Sequence, residues 1–196
     1  CYRQSNIRVL ALTWNVAGYT PKNAMELRDF AGVFDRARLP QIVTIGLQEV
    51  VELKGLSGAF GLFRNEEDTL KVWADLFVTL MYLVDPQYFL ASQEMLVGLL
   101  SLTFVHKSAV NKIASHGVEE IKTGMLGMLG TKGSLVSSLT YEDKMFRFCN
   151  CHLASGEEIA KRSRAIEDLY QAFCSPLRSD IFLLFGDLNF RVNTDQ

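Results

Sequence analysis

Disulfide chemistry, a broad basic face and a membrane-spanning run are all missing from this sequence. Only four cysteines, Cys1, Cys149, Cys151 and Cys174, occur in its 196 residues. They are too few and too irregularly spaced for a disulfide framework, so reduced thiols in a cytoplasmic setting are expected. Acidic side chains outnumber basic ones, 22 to 20, for a formal net charge of -2 and a pI near 6.0. That balance excludes the wide electrostatic footprint of a duplex nucleic-acid binder and leaves room for a small cationic pocket. The most apolar stretch, residues 76–105, is broken by Asp85, Pro86, Gln87, Gln93 and Glu94. Its longest uncharged part, residues 95–105, falls short of the roughly 20 residues that a transmembrane helix needs. The chain opens Cys1-Tyr2-Arg3-Gln4 with no initiator Met, apolar signal core or Arg-rich leader, so it is expected to begin inside a longer polypeptide. Repeats, low-complexity tracts and flexible linkers are absent too, which predicts one domain over residues 1–196.

What is present suffices for a core, since 48% of the residues are hydrophobic. Residues 7–14 and 41–47 are rich in β-branched and apolar side chains and end in polar ones, Asn15 and Gln48-Glu49, so both read as strands. Between them, Asn23 followed by Glu26 resembles a capping box, and Leu27, Phe30, Phe34 and Ala37 follow at helical spacing. Asn65 and Asp68 open a second helix whose stripe of Leu70, Trp73, Phe77, Leu80 and Val84 predicts a buried face, closed by Asp85-Pro86. Strands are expected over residues 88–91, 95–106, 134–139 and 145–153. After Gly156, the acidic pair Glu157-Glu158 and the spacing of Ile159, Ile166, Leu169 and Phe173 predict a third helix, ending before Pro176. A last strand, residues 181–185, leads into Gly186-Asp187-Leu188-Asn189-Phe190-Arg191. On an extended backbone Asp187, Asn189 and Arg191 share one face, which sets a carboxylate, a carboxamide and a guanidinium where a buried strand emerges.

Four polar clusters therefore stand at strand ends: Trp14-Asn15, Gln48-Glu49, Asn150-Cys151-His152-Leu153 and Gly186-Asp187-Leu188-Asn189. Each alone is an ordinary solvated strand end. In this order they resemble the endonuclease/exonuclease/phosphatase superfamily. Gly130-Thr131-Lys132-Gly133, Asn150-Cys151-His152-Leu153-Ala154-Ser155-Gly156 and Phe185-Gly186-Asp187-Leu188-Asn189-Phe190-Arg191 are similar to signatures of its inositol polyphosphate 5-phosphatases, over residues 9–192. The resemblance implies an α/β fold, a four-layer α/β/β/α sandwich, and Mg²⁺-dependent removal of the 5-phosphate from phosphoinositides or soluble inositol polyphosphates. It implies contact with membrane surfaces at most peripherally, and no nucleic-acid partner.

The chemistry fits those residue types, because phosphomonoester hydrolysis needs charge neutralisation on the phosphoryl oxygens and an in-line water. Glu49 would give Mg²⁺ a hard anionic oxygen, with Asn15 as neutral ligand or orienting group. Asp187 would orient or deprotonate the water, Asn189 would donate to a phosphoryl oxygen, and His152 would donate to the scissile phosphate. Lys132 and Arg191 are the cationic candidates for substrate phosphates. Two departures stand out. Thr131 occupies a position where the family usually carries Asn. The family's Trp-Cys-Asp-Arg and Ser-Asp-His segments, the latter completing the catalytic site, do not occur in these 196 residues, whose three histidines are His106, His116 and His152. An incomplete second sheet and an inactive, poorly soluble 196-residue fragment are the expectation from that gap. Two other readings remain open: another phosphodiesterase or nuclease of the superfamily, and a degenerate module that binds phosphoinositide headgroups or a protein without turnover.

Overall fold

Among the residues that the computed structural model describes, 6–51, 66–96, 98–121, 132–173 and 181–190, eight strands pair into two four-stranded sheets. The first sheet holds β1 (Val9–Asn15), β2 (Ile42–Gln48), β3 (Tyr88–Leu96) and β4 (Leu99–His106) in the order β1-β2-β4-β3. The second holds β5 (Ile113–Ile121), β6 (Gly133–Tyr141), β7 (Lys144–His152) and β8 (Ile181–Asp187) in that order. β1 runs parallel to β2, and β7 runs parallel to β8, while the other pairs are antiparallel. Each parallel pair delivers two strand ends to the same edge of its sheet.

Side-chain alternation sorts these strands into layers. Val43, Ile45 and Leu47 of β2, with Leu100, Leu102 and Phe104 of β4, face outward against Trp73, Phe77, Leu80 and Met81 of the helix Glu66–Val84. On the opposite outer face Cys149 and Cys151 of β7 and Phe182 and Leu184 of β8 meet Leu169 and Phe173 of the helix Ile159–Phe173. The two sheets press their remaining faces together through Ile42, Val105, Leu139, Phe146 and Phe148, joined by Ile181, Leu183 and Phe185. The order of layers is helix, sheet, sheet, helix, as expected. Numbered along the chain, the helices are α1 (Arg28–Ala31), α2 (Glu66–Val84), α3 (Lys107–Val110) and α4 (Ile159–Phe173). No helix among the described residues is long and apolar enough to cross a membrane. Cys149 and Cys151 are buried thiols outside any disulfide, as the sequence suggested; Cys1 and Cys174 lie outside the described residues.

The inward-facing series has a direction. Along β2 it reads Ile42, Thr44, Gly46, Gln48; along β7, Phe146, Phe148, Asn150, His152; along β8, Ile181, Leu183, Phe185, Asp187. Apolar contact closes one end of the sandwich, and polarity rises towards the other. Gly46 sits where the gradient turns. A Cβ there would stand 2.5 Å from Phe185 Cε2 and 2.6 Å from Asn150 Cγ, so the absence of a side chain lets the second sheet seat both groups.

Several local expectations give way to tertiary context. The helix expected over residues 24–37 is a 3-10 turn, Ala24–Leu27, followed by the single turn α1. Asn23 caps it by accepting from Met25 N, but Glu26 accepts from Tyr19 Oη and Lys22 N instead of closing a capping box. Asp35 accepts from Ala37 N and turns the chain there, so Phe34 reaches the core from a loop. The strand expected over residues 95–106 is two strands, because Gly98 at φ +81° turns the chain between Leu96 and Leu99. Gln93 and Glu94, expected in a connection, lie in β3, and neither β5 nor α3 was expected. Asn65 and Pro176 lie outside the described residues.

Gly46→Ala should lower stability by about 1–3 kcal/mol, the usual cost of forcing an extra carbon into a close-packed layer. Urea unfolding followed by tryptophan fluorescence measures it. An unchanged midpoint would mean that the sheets separate easily at this point.

Candidate active site

Four strand ends meet at the polar mouth of the sandwich. β1 contributes Asn15, β2 Gln48 and Glu49, β7 Asn150 and His152, and β8 Asp187. Register sets Asn15 beside Gln48 in one sheet and His152 beside Asp187 in the other. The sheets are tied beneath the mouth by Gln48 Nε2, which donates to Asn150 Oδ1 at 2.7 Å. Asn150 Nδ2 reaches Leu47 O at 3.2 Å and Leu100 O at 3.0 Å on the opposing sheet. Gln48 and Asn150 were visible as members of polar clusters, yet their bolting role was not assigned from sequence. Their inward parity on otherwise apolar strands is the signal that could have found it.

Glu49 breaks the alternation. Following inward-facing Gln48 it should point outward, but its backbone is left-handed, φ +56°. That turn brings its carboxylate to the mouth. Ala17, at φ +49°, and Asn189, at φ +53°, carry the same uncommon conformation on neighbouring strand ends. Such residues are costly unless surrounding structure fixes them, and they gather at functional sites.

Asn15 is the hub. Its Oδ1 accepts from Ala17 N at 3.0 Å, which fixes the amide orientation. Its Nδ2 then donates to Glu49 Oε1 at 3.0 Å and to Asp187 Oδ2 at 2.9 Å. One carboxamide thus holds two carboxylates from opposite sheets together. Asp187 is fixed a second time, because its Oδ1 accepts from Asn189 N at 3.1 Å.

Facing them, His152 Nε2 lies 3.6 Å from Glu49 Oε1 and 3.5 Å from Asp187 Oδ2. Lys132 Nζ donates to the same imidazole nitrogen. Burial, reinforced by the Lys132 charge, lowers the His152 pKa against the opposing pull of Asp187 and Glu49. Burial lowers the Lys132 pKa as well, again opposed by the two carboxylates. The shift favours the neutral imidazole, placed to accept from Lys132.

Asn189 departs from its expected placement. The strand ends at Asp187, and Asn189 Nδ2 turns back to donate to Leu153 O at 2.9 Å, so Asp187 and Asn189 do not continue one extended face. Phe190 is half exposed. Arg191 and Thr131 lie outside the described residues. Asn15, Glu49, Lys132, His152 and Asp187 come together; Asn189 joins them through Asp187 and Leu153.

Comparison with known proteins gives a family model, Endonuclease/Exonuclease/phosphatase family 2, matching residues 12–196. The polyphosphatidylinositol phosphatase INP53 of Saccharomyces cerevisiae is 30% identical over 196 residues, covering 96% of this chain and 17% of that protein. Human synaptojanin-1 is 25% identical over 214 residues, covering 97% of this chain and 13% of that one. The chain thus spans less than a fifth of either relative. Among solved structures, the inositol polyphosphate 5-phosphatase domain of SPsynaptojanin, in complex with inositol (1,4)-bisphosphate and calcium ion, superposes with a TM-score of 0.73. It is 23% identical, and the match covers 95% of this chain and 54% of that one. That likeness establishes the shared fold.

Replacing Lys132 by Met removes the charge that helps hold His152 neutral while leaving Glu49 and Asp187 in place. The His152 pKa should rise, read from its imidazole resonances in an NMR titration. A value that stays put or falls would show that the ammonium does not act on this ring.

Proposed function

The chain belongs to the endonuclease/exonuclease/phosphatase family 2, and on that premise we propose that it is a metal-dependent phosphomonoesterase that removes the 5-phosphate from phosphoinositides or soluble inositol polyphosphates. The observation that carries this reading is the pairing of Glu49 and Asp187 on one Asn15 amide, opposite Lys132 and His152. Two anionic oxygens beside a cation suit a metal-bridged phosphate. The name of the yeast relative, a polyphosphatidylinositol phosphatase, and the inositol bisphosphate bound to the structural neighbour point to the same substrate chemistry.

The donor set fits Mg²⁺. Glu49 and Asp187 offer hard oxygens, and among the described residues no group of three or more His, Cys, Asp or Glu side chains is arranged to hold an ion unaided. Mg²⁺ commonly takes one or two protein carboxylates and fills its other positions with water and substrate phosphate. Glu49 is the proposed ligand, oriented by Asn15, whose own oxygen is engaged by Ala17 N. A bound ion would supply charge neutralisation on the phosphoryl oxygens.

The remaining work falls to the chain's own side chains. Asp187 is held at both oxygens and orients or deprotonates the attacking water. Lys132 receives a phosphate oxygen at the mouth, and Arg191, following Phe190, is the second cationic candidate. A phosphate dianion adds negative charge beside His152, which raises its pKa and lets the imidazolium donate to the scissile group. Asn189 spends one amide N–H on Leu153 O and keeps the other for a phosphoryl oxygen. Residues 1–196 are read as one catalytic domain, contacting membranes only at its surface.

Phosphate release from a 5-phosphorylated phosphoinositide by the full-length polypeptide that contains residues 1–196, with Mg²⁺ and an EDTA blank, tests this. Asp187→Asn should cut kcat by roughly 100-fold or more, the range for losing a positioned general base, with KM little changed. Glu49→Gln should raise the Mg²⁺ concentration needed for half-maximal rate. A loss confined to KM would move Asp187 into substrate binding, and an unaltered Mg²⁺ requirement would remove Glu49 from the metal.

A further inference from the structure

Arg162 is 3% exposed on the inner side of α4. Among the described residues, no carboxylate lies within ion-pair distance of it. A buried guanidinium without a counter-charge is costly to desolvate, and an apolar residue would serve α4 better if packing were all that mattered. What Arg162 does instead is specific. Its Nη1 donates to Ala154 O at 2.9 Å and to Gly156 O at 2.8 Å. Its cationic plane covers the Phe190 ring, 5.2 Å from the centroid.

Those three contacts reach both loops of the mouth. Ala154 and Gly156 belong to the loop that leaves β7 after His152; Phe190 belongs to the segment that leaves β8 after Asp187. Between them lies Leu153, whose N donates to Asp187 O at 2.9 Å and whose O accepts from Asn189 Nδ2 at 2.9 Å. Every contact in this chain of bonds lies outside the carboxylate and imidazole groups themselves. We propose that Arg162 is a positioning residue: it clamps the post-β7 loop through two carbonyls and the post-β8 loop through Phe190, and so fixes the spacing of His152 and Asp187. The kinetic consequence rests on the phosphatase reading above, whereas the clamp itself does not.

Arg162→Met keeps the length and apolar stem and removes both donors. In amide hydrogen exchange, the Leu153 and Asn189 amides should exchange at least tenfold faster, while amides of β2 keep their parent rates. In phosphate release, kcat should fall about 10–100-fold with KM within about twofold, as expected when reacting groups are displaced without loss of binding. Arg162→Lys, which can restore one donor, should recover part of both. Phe190→Leu, at a half-exposed position, carries the same test should Arg162→Met not fold; it should quicken exchange at Asn189 more than at Leu153. Unchanged exchange at both amides overturns the clamp, and so does a uniform rise that includes β2, which marks a merely structural residue. Faster exchange in the variant, with no phosphate release by the full-length parent polypeptide that contains residues 1–196, upholds the clamp and overturns the phosphatase reading.

Discussion

The hydrogen bond from Gln48 Nε2 to Asn150 Oδ1, 2.7 Å long and fully buried, is the constraint on which the rest depends. Two sheets held by apolar contact alone could slide over one another, since such contact is non-directional. An amide pair beneath the mouth has one good geometry. Asn150 Nδ2 reinforces it by reaching two backbone carbonyls of the facing sheet. Losing either partner would strand buried polar groups at a cost of about 1–3 kcal/mol. The same bolt fixes the heights of His152, two residues beyond Asn150, and of Glu49, next after Gln48. The geometry of the mouth is inherited from sheet registration.

Charge at the mouth follows from burial as much as from composition. Two carboxylates so close would ordinarily repel one another; here one Asn15 amide donates to both, and Lys132 stands across from them. Burial and the Lys132 charge both favour the neutral form of His152.

Much of this was legible in the chain. Apolar strands ending in Asn15, Glu49, His152 and Asp187 announced a site at strand ends, and the stripe from Leu70 to Val84 announced α2. What failed, failed for identifiable reasons. β5 is polar because it lies at a sheet edge, where alternation is weak. The turn at Gly98 hid inside a continuous apolar run. Glu49 belonged to the wrong parity until its left-handed backbone was known, and no local pattern reports a bond such as that between Gln48 and Asn150, 102 residues apart. Arg162 was not singled out from the sequence, because its partners are backbone carbonyls and an aromatic face contributed by other segments.

The hub of the mouth joins distant parts of the chain: Asn15 and Asp187 are separated by 172 residues. Among the described residues, the four strands of the first sheet all precede those of the second along the chain. Closing so long a loop is an entropic cost that local structure does not relieve, and it is met late in folding. Until β8 docks, Asn15 has one carboxylate to bind where two are needed. The mouth is therefore not assembled by degrees: its second carboxylate arrives in one step, with Asp187.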